Sequence, residues 1–306
     1  MMDQSIKKKN KVLIIGGGPI SLEYAAICIS IDMNISMVSR SLPDDCNKDN
    51  IDFIEGDLFA IPINSLKKYS HIIIAVQPRF TFNILKYLLE NTRALLMVEK
   101  PVCLTSNEFA EISDTVFNKR VYVAFNRRSF SSTQEAKKRI EGKPILLLEV
   151  CFTEMKDRMR GSKDEIDLWG MCNTIHLIDM AFYLAEIPNE IEVTKTSSED
   201  VISYYVTGKI SKGNVNMNAH WGAAGNWGIT ITTPDEKLYF DPLETLRIQN
   251  SGSFSKNEIT IEKTSDDIFK DGFLLQTKNF INGKRSEFIR YNDYHNLIFT
   301  IEKIFK

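Results

Sequence analysis

The stretch VLIIGGGPIS, residues 12–21, decides the fold. Its four-residue apolar run, Val12–Ile15, is typical of a short buried strand, and the glycines that follow open a segment with helical periodicity. The turn from Gly16 to Ser21 reads G-x-G-x-x-S. In such a turn the first glycine permits the tight bend, the second lets the backbone approach a pyrophosphate, and a small third residue lets helix and strand pack closely.

The same alternation of strand and helix continues to about residue 125. Further apolar runs lie at residues 35–38, 51–53, 72–76, 95–98 and 121–125. The pair Thr105 and Glu108 forms a capping box that predicts one more helix, with Phe109, Ile112 and Val116 on its inner face. Strands that are apolar on both faces and alternate with helices predict a doubly wound parallel sheet of the Rossmann type over residues 1–125.

The pattern changes in the second half of the chain, which we assign to a separate domain over residues 126–306. Helical periodicity is present at 131–141, 167–185, 268–282 and 291–305. The strand-like runs between them lie at 191–196, 201–211, 213–220, 227–233, 236–241 and 244–249. Strands joined by short turns predict a mainly antiparallel sheet in an α+β domain. We expect the two domains to pack closely around a cleft, with the last helices able to pack back on the first domain.

The composition excludes several classes of function. The 38 basic and 40 acidic residues give a net charge of −2, which argues against a general nucleic-acid binder. The basic run Lys7–Lys11 is interpreted as a solvated flank of the first strand. The chain has neither an apolar stretch long enough for a membrane span nor a signal-peptide core, so we expect a cytoplasmic protein.

The cysteines indicate a reducing compartment. Their number is odd and none forms a C-x-x-C pair, so free thiols fit better than disulfides or a zinc site, and we expect no bound metal. The five are Cys28, Cys46, Cys103, Cys151 and Cys172.

The end of the second apolar run bears on the choice of cofactor. Proteins specific for NAD usually carry an acidic residue here for the ribose 2′-hydroxyl. This chain has Ser39 and Arg40 instead, with no carboxylate until Asp44. Arg40 could pair with a 2′-phosphate, which favours NADP over NAD. The alternative is that Arg40 is solvated or stacks on the adenine.

Three further motifs carry a family resemblance. Glu99-Lys100-Pro101 ends a strand about 80 residues after the glycine turn, the run VYVAFNRR spans residues 121–128, and GMCNTIHLID spans residues 170–179. Together with the glycine turn and the C-terminal helices, they resemble the Gfo/Idh/MocA oxidoreductases (glucose–fructose oxidoreductase, inositol dehydrogenase, rhizopine catabolism). The resemblance covers nearly the whole chain. It implies a Rossmann domain followed by a substrate domain with an open-faced sheet, often used for oligomer contacts.

The resemblance also implies a reaction and its residues. Transfer of a hydride between nicotinamide and a sugar carbon requires a proton to move on the oxygen, and Lys100 takes this role, with His176 assisting. Glu99 would orient the lysine or touch the cofactor. The predicted cofactor-binding residues are Gly16, Gly18, Pro19, Ile20, Ser39, Arg40, Val76, Gln77, Pro78 and Glu99, and the predicted substrate residues are Lys100, Arg127, Asn173 and His176.

The sequence departs from the family pattern at two positions. Many members carry aspartate where this chain has Cys172, and a buried cysteine at this position is a small apolar residue by default. Many members also carry histidine at or near the position of Phe82, which we expect to be a core residue. Asp179 is expected to anchor backbone or to orient a neighbour. Either Arg127 or Arg128 could meet an anionic substrate, or could form a salt bridge at the domain boundary. Three tryptophans could stack on a sugar ring or pack in the core: Trp169, Trp221 and Trp227.

Three functional readings therefore stand at this point. The first is an NAD(P)-dependent dehydrogenase of a sugar or sugar nucleotide, active as a homodimer or homotetramer through the C-terminal sheet, because a large apolar face seldom stays bare. The second is a protein of the same fold that senses the dinucleotide without turnover, which the missing aspartate favours. The third is a reductase of a non-sugar substrate such as a linear tetrapyrrole.

Overall fold

The computed structural model describes residues 11–42, 50–159, 161, 163–261 and 268–306. The chain divides into two compact units. The first unit comprises the described residues of Met1–Ala124 and Ser265–Asn292, and the second comprises those of Phe125–Thr264 and Asp293–Lys306. A C-terminal segment therefore belongs to the first unit.

Some of the sequence predictions fall outside the described residues. These concern the basic run before Lys11, the first carboxylate after the second strand, Asp44, and one of the five cysteines, Cys46.

The first unit is built on a six-stranded sheet in which every pairing is parallel. The strands are β1 (Lys11–Ile15), β2 (Asn34–Ser39), β3 (Ile51–Glu55), β4 (His71–Ile74), β5 (Leu95–Glu99) and β6 (Val121–Ala124). Their order across the sheet is β3-β2-β1-β4-β5-β6, so the winding direction reverses between β1 and β4. The predicted doubly wound parallel sheet is confirmed, and its reversal point is where ligands of such folds bind.

In the described residues, five helices connect these strands. They are α1 (Pro19–Ser30), α2 (Ile63–Leu66), α3 (Pro78–Asn91), α4 (Ser106–Ala110) and α5 (Asp114–Arg120), and a short 3₁₀ turn spans Leu58–Ala60. The prediction of a single helix behind the capping box is wrong. The helix that Thr105 caps ends at Ala110, and the hydroxyl of Ser113 accepts a hydrogen bond from Val116 N and begins a second helix.

The second unit contains an eight-stranded mixed sheet. Its strands are β7 (Leu147–Phe152), β8 (Ile191–Ser197), β9 (Ile202–Ile210), β10 (Gly213–Trp221), β11 (Trp227–Thr232), β12 (Glu236–Phe240), β13 (Arg247–Asn250) and β14 (Asn257–Glu258). The order is β14-β13-β12-β11-β7-β10-β9-β8, and only the β7–β10 pairing is parallel in the described part of the chain. Strand β7, in the middle of the sheet, and the short β14 were not predicted from the sequence. The prediction of a mainly antiparallel sheet is confirmed.

One face of this sheet is buried, and helix α8 (Ile175–Leu184) packs against β7 on it. The described part of the unit also contains α6 (Ser131–Ile140) and α7 (Lys163–Asp167), with 3₁₀ turns at Asn126–Ser129 and Lys156–Arg158 and a π-helical turn at Gly170–Thr174. The sequence predicted one continuous helix over 167–185. The π-helical turn at Gly170–Thr174 interrupts it, so α-helical spacing applies only from Ile175 onward.

Two helices end the chain. The first, α9 (Phe273–Ile281), belongs to the first unit, where Phe280 is fully buried. A 3₁₀ turn at Arg285–Glu287 follows it, and α10 (Tyr291–Phe305) runs into the second unit. The ring of Phe305 lies 4.9 Å from that of Trp221, and a Cβ on Gly170 would collide with Phe305. Trp221 is therefore a core residue.

The uncovered face of the second sheet is mainly polar, although the Tyr205 ring on β9 is also exposed there. Residues that alternate with the core positions of β9 and β10 are exposed and include Thr207, Asn214, Asn216 and Asn218. This composition does not support the argument that an apolar patch on this face needs a partner. A homo-oligomer formed through this sheet stays a prediction.

Candidate functional site

The three glycines after β1 serve different purposes. Gly16 has φ +125°, and a Cβ there would collide with the carbonyl oxygen of Ala75. A Cβ on Gly17 would collide with the carbonyl oxygen of Ser41. A Cβ on Gly18, by contrast, would meet nothing within 4 Å. Packing of the described chain thus requires the first two glycines, whereas Gly18 faces open space.

Helix α1 begins at this open space. Gly18 is its N-cap and has no side chain to cap the helix, while Pro19 is the first helical residue. The first regular helical bond runs from Leu22 N to Gly18 O at 3.1 Å, so the N–H of Ile20 precedes the helical ladder. The first turn carries no acidic residue. The helix end therefore presents positive potential without a neighbouring carboxylate of its own, which suits an anion.

The strand ends around this turn are tied together. Gly16 N donates to Val38 O at 3.0 Å, and Ala75 N donates to Ile15 O at 2.9 Å. Ser21, in the third position of the motif, is buried, and its hydroxyl donates to Ala75 O at 3.0 Å. A serine is accepted here because its hydroxyl finds this acceptor at the end of β4.

The loop from β4 to α3 carries three of the predicted cofactor residues. Val76 is partly buried, Gln77 is the exposed N-cap of α3, and Pro78 is its first residue. Arg79 Nη2 donates to Gln77 Oε1 at 2.9 Å. The winding direction of the sheet reverses between β1 and β4. The glycine turn follows β1 and this loop follows β4, so the two lie on either side of the reversal point.

The end of β2 holds Ser39, followed by the exposed Arg40. Sequence reasoning did not consider the neighbouring strand. Glu55 ends β3 in register with Ser39, so a carboxylate stands beside the predicted phosphate-binding residues. The backbone N–H of Gly56 donates to Ser39 O at 2.9 Å and fixes this register.

The Glu99-Lys100-Pro101 segment leaves the C-terminal end of β5, with a cis bond before Pro101. Strand β5 lies two positions from β1 in the sheet. Neighbouring strands are about 4.8 Å apart, so Lys100 begins about 10 Å across the sheet edge from the glycine turn. Both features lie at the carboxyl edge of one parallel sheet within the first unit.

The Glu99 carboxylate is held by a chain of hydrogen bonds from helices of the first unit. Tyr24 Oη, on α1, donates to Glu99 Oε1 at 2.5 Å, and Gln276 Nε2, on α9, donates to Tyr24 Oη at 3.1 Å. Burial raises the pKa of Glu99, against the Tyr24 hydrogen bond and the charge of Lys100, which lower it. Burial also raises the pKa of Tyr24, so the phenol stays a donor. Tyr24 and Gln276 were not predicted as site residues, because nothing in the local sequence pattern joins residues 24, 99 and 276.

The second unit places His176 and Asn173 on consecutive helical turns. His176 lies on α8, partly buried, with its ring 6.2 Å from that of Phe125. Asn173 lies on the π turn and donates from Nδ2 to Glu154 Oε1 at 3.2 Å. Cys172 beside it is buried and forms no disulfide.

Glu154 is a second residue that sequence reasoning missed. It follows β7 and is only 8% exposed. Its Oε1 accepts from Thr174 Oγ1 at 2.9 Å and from Trp227 Nε1 at 3.2 Å, besides Asn173. The Trp169 indole also faces this carboxylate, although Nε1 does not reach hydrogen-bond geometry. Burial raises the pKa of Glu154, and these donors oppose the rise. A lone acid just after an apolar run was the only available signal.

The two arginines after β6 have different surroundings. Arg128 donates to both oxygens of Asp179, so Asp179 orients a neighbour, as expected. The guanidinium of Arg127 lies over the Trp227 ring, 5.0 Å from its centroid. Burial lowers the pKa of Arg127 to about 10, which leaves it a cation at neutral pH.

The described residues contain no group of three or more histidine, cysteine, aspartate or glutamate side chains arranged to hold a metal ion. Within the same residues, no helix combines the length and the apolar character that crossing a membrane would need.

Solved structures of other proteins share this fold. Neither the protein-family models nor the curated proteins contain a match to this chain. Solved structures do match over nearly their full length. Levoglucosan dehydrogenase in complex with NADH is 16% identical, with 96% of this chain and 95% of that chain covered and a TM-score of 0.74. A Gfo/Idh/MocA family oxidoreductase from Vibrio cholerae is 12% identical, with coverage of 96% and 95% and a TM-score of 0.72.

A third solved structure is the UDP-N-acetylglucosamine 3-dehydrogenase GnnA from Acidithiobacillus ferrooxidans. It is 14% identical, covers 96% of each chain and has a TM-score of 0.70. The chain therefore has the two-part fold of Gfo/Idh/MocA-type dehydrogenases, and the resemblance read from the sequence is confirmed at the level of the fold.

Proposed function

We propose that this chain is an NAD(P)-dependent oxidoreductase that transfers a hydride between nicotinamide and a carbon of a sugar or a sugar nucleotide. The observation that carries the proposal is the open space at Gly18. Gly16 and Gly17 must lack a Cβ because neighbouring backbone atoms leave no room for one. No described atom lies close enough to Gly18 to require a glycine there. A pyrophosphate approaching the start of α1 explains this glycine.

The residues around Gly18 fit a nicotinamide dinucleotide. The turn offers backbone N–H groups and an uncapped helix end without an acidic first turn. The residues that would hold the dinucleotide are Gly16, Gly18, Pro19, Ile20, Ser39, Arg40, Val76, Gln77, Pro78 and Glu99. When bound, the nicotinamide supplies the hydride chemistry, and the protein supplies orientation and a proton.

The proton is assigned to Lys100. It follows β5 at the same sheet edge as the glycine turn, and its ammonium group can donate to a ketone oxygen or, once neutral, accept from an alcohol. Glu99 is held by Tyr24, so its role is to orient Lys100 and the end of β5. His176 assists proton transfer, and Arg127 and Asn173 bind substrate.

The structural neighbours support the reaction class. One is a levoglucosan dehydrogenase with NADH and another is a UDP-N-acetylglucosamine 3-dehydrogenase, so the same fold serves a sugar and a nucleotide sugar. For the cofactor we propose NADP, on the positions of Arg40 and Ser39 at the end of β2.

A Lys100→Met variant tests the assignment. Nicotinamide absorbance is followed across a panel of sugars, keto-sugars and nucleotide sugars, and dinucleotide affinity is measured separately. We expect turnover to fall by at least about 100-fold, as for loss of a general acid–base group, with dinucleotide affinity unchanged. Lys119→Met, on the exposed end of α5, is the matched control and should retain full activity. Equal turnover by Lys100→Met and wild type would refute the role of Lys100.

A non-catalytic dinucleotide sensor is the second candidate. The buried Cys172 favours it, because many members of the Gfo/Idh/MocA family that the sequence resembles carry aspartate at this position. The same absorbance assay separates the two. Tight dinucleotide binding with no change in absorbance across the whole panel would favour the sensor.

A further inference from the structure

Arg127 and Arg128 are adjacent in sequence but only one of them is paired. Arg128 is bound through two hydrogen bonds to Asp179. Arg127 has neither a hydrogen-bond acceptor nor an ion-pair partner among the described residues, and its Nε is buried without a partner. Its two Nη atoms are not among the buried atoms that lack a partner, so they keep accessible surface. The tips of this guanidinium can therefore accept a ligand.

Trp227 gives this guanidinium a fixed backing. The indole ring lies under Arg127, and its Nε1 donates to the buried Glu154. Glu154 is in turn held by Thr174 and Asn173. A buried carboxylate with three donors is rigid, so the ring that it orients has one defined position. Stacking on that ring holds the planar guanidinium without using its N–H groups.

The charges around Arg127 keep it a cation without neutralising it locally. Glu154 and Glu244 attract its charge, but neither carboxylate lies within 4.0 Å of the guanidinium in the described structure. A partly buried cation without an acceptor is costly, and a ligand oxygen that binds its N–H groups offsets that cost. A planar fork with open tips matches phosphate or carboxylate oxygens, which accept two parallel hydrogen bonds.

We propose that Arg127, backed by Trp227 and Glu154, forms an anion subsite that binds a phosphate or carboxylate group carried by the substrate. The inference rests on the proposed function and narrows it. The substrate is then an anionic sugar, such as a sugar acid, a sugar phosphate or a nucleotide sugar, and not a neutral sugar or polyol. Arg128 has no such role, because Asp179 occupies its fork.

Direct binding tests the subsite without requiring turnover. Calorimetry is carried out on the full chain, with and without NADPH, using four probes: glucose, glucuronate, glucose 6-phosphate and UDP-glucose. We expect at least one anionic probe to bind 10-fold or more tightly than glucose. The probe that binds most tightly identifies carboxylate, monophosphate or diphosphate as the source of the anion.

Variants assign the effect to Arg127. Arg127→Gln should abolish the preference for the anionic probe, a loss of about 10- to 100-fold for a charged hydrogen-bonding group. Arg127→Lys keeps the charge without the planar fork and should lose less. It also provides a folded comparison if the glutamine variant is unstable. Lys237→Gln removes one positive charge from the uncovered sheet face and should leave the preference intact.

The outcomes separate this inference from the proposed function. If wild type binds no anionic probe more tightly than glucose, or if Arg127→Gln binds it as tightly as wild type, the subsite is wrong. If the protein oxidises neutral sugars and Arg127→Gln does so at the same rate, the dehydrogenase proposal is supported and the anion subsite is refuted. Binding that depends on Arg127, with no turnover of any sugar, would leave the subsite standing without the dehydrogenase.

Discussion

Arg128 and Asp179 form a two-pronged ion pair inside the second unit, with Nε and Nη2 donating to Oδ2 and Oδ1 at 2.8 and 2.7 Å. Asp179 is fully buried, and the Arg128 side chain is 12% exposed. The pair joins the turn after Phe125 to helix α8. Its geometry satisfies a carboxylate that α8 would otherwise bury without compensation.

Removing one partner of this pair should be costly. Asp179→Ala leaves the Arg128 charge uncompensated, and we expect the free energy of unfolding to fall by about 3–5 kcal/mol. Urea denaturation measures the change. The control is Glu149→Gln, which breaks the half-exposed pair with Lys237 and should cost no more than about 1 kcal/mol. Equal losses of unfolding free energy in both variants would show that the buried pair contributes no more to stability than the surface pair.

The glycine turn allows stability and cofactor binding to be separated. Gly16→Ala forces a Cβ against the Ala75 carbonyl at positive φ, so it should lower the free energy of unfolding by about 1–3 kcal/mol. Gly18→Ala meets no protein atom and should change stability by less than about 1 kcal/mol. It should nevertheless weaken dinucleotide binding roughly tenfold, about 1.4 kcal/mol. Fluorescence titration with NADPH and NADH, next to denaturation, checks both. Unchanged affinity in Gly18→Ala would contradict the assigned cradle.

The Tyr24 hydroxyl should position the reactive end of β5. Tyr24→Phe removes the donor to Glu99, so the pKa of Glu99 rises further and the acid limb of the kcat profile should move to higher pH. Stability should fall by about 1–3 kcal/mol, because Gln276 also loses its acceptor. Tyr69→Phe is the control, because the Tyr69 hydroxyl is buried without a hydrogen-bond partner in the described structure. A pH profile that does not move in Tyr24→Phe would reduce Tyr24 to a structural role.

Arg40 should decide between the two cofactors. Wild type should bind NADPH more tightly than NADH, and Arg40→Ala should lose roughly tenfold in NADPH affinity with little change for NADH. Arg93→Ala, an exposed arginine of the same unit, should change neither. The opposing arrangement involves Glu55, which is in register with Ser39. If NADH binds more tightly than NADPH and Glu55→Gln weakens NADH binding, the Glu55 carboxylate accepts a hydrogen bond from the ribose 2′-hydroxyl. The NADP assignment is then wrong.

The buried Glu154 should leave a signature in the pH dependence of stability. Its pKa is raised in the folded protein, so in the range between its unfolded and folded pKa the folded state binds more protons than the unfolded state. Stability therefore increases as pH falls through that range and is lost as pH rises. Glu154→Gln removes this contribution. Urea midpoints measured from neutral to mildly acidic pH should rise less on acidification in the variant than in wild type. Parallel curves would argue against a raised pKa.

Much of the first unit could be predicted from sequence, because parallel strands buried on both faces are short apolar runs with clear ends. The run at 35–38 became β2, Asn34–Ser39, and that at 95–98 became β5, Leu95–Glu99. The helix behind Thr105 was drawn too long, because the apolar spacing continued through Ser113. A hydroxyl that caps a new helix does not disturb that spacing.

The rest depended on contacts between distant residues. Strand β7 has no neighbour in sequence, since its partners β10 and β11 come more than 60 residues later. The Tyr24–Glu99 bond spans 75 positions, and the Glu154–Trp227 bond spans 73. The sequence Arg127-Arg128 likewise does not show that one arginine pairs with Asp179 while the other stacks on Trp227. Local patterns predicted the elements, whereas these partners became visible only in three dimensions.

The central place of β7 bears on how the chain is made. During synthesis this strand leaves the ribosome well before residues 213–221 and 227–232, so both of its edges wait unpaired until those residues emerge. Closing such long loops is slow, and open strand edges invite wrong pairing in the interval. Nascent chains that stall between residues 160 and 210 should therefore be the species most dependent on chaperones.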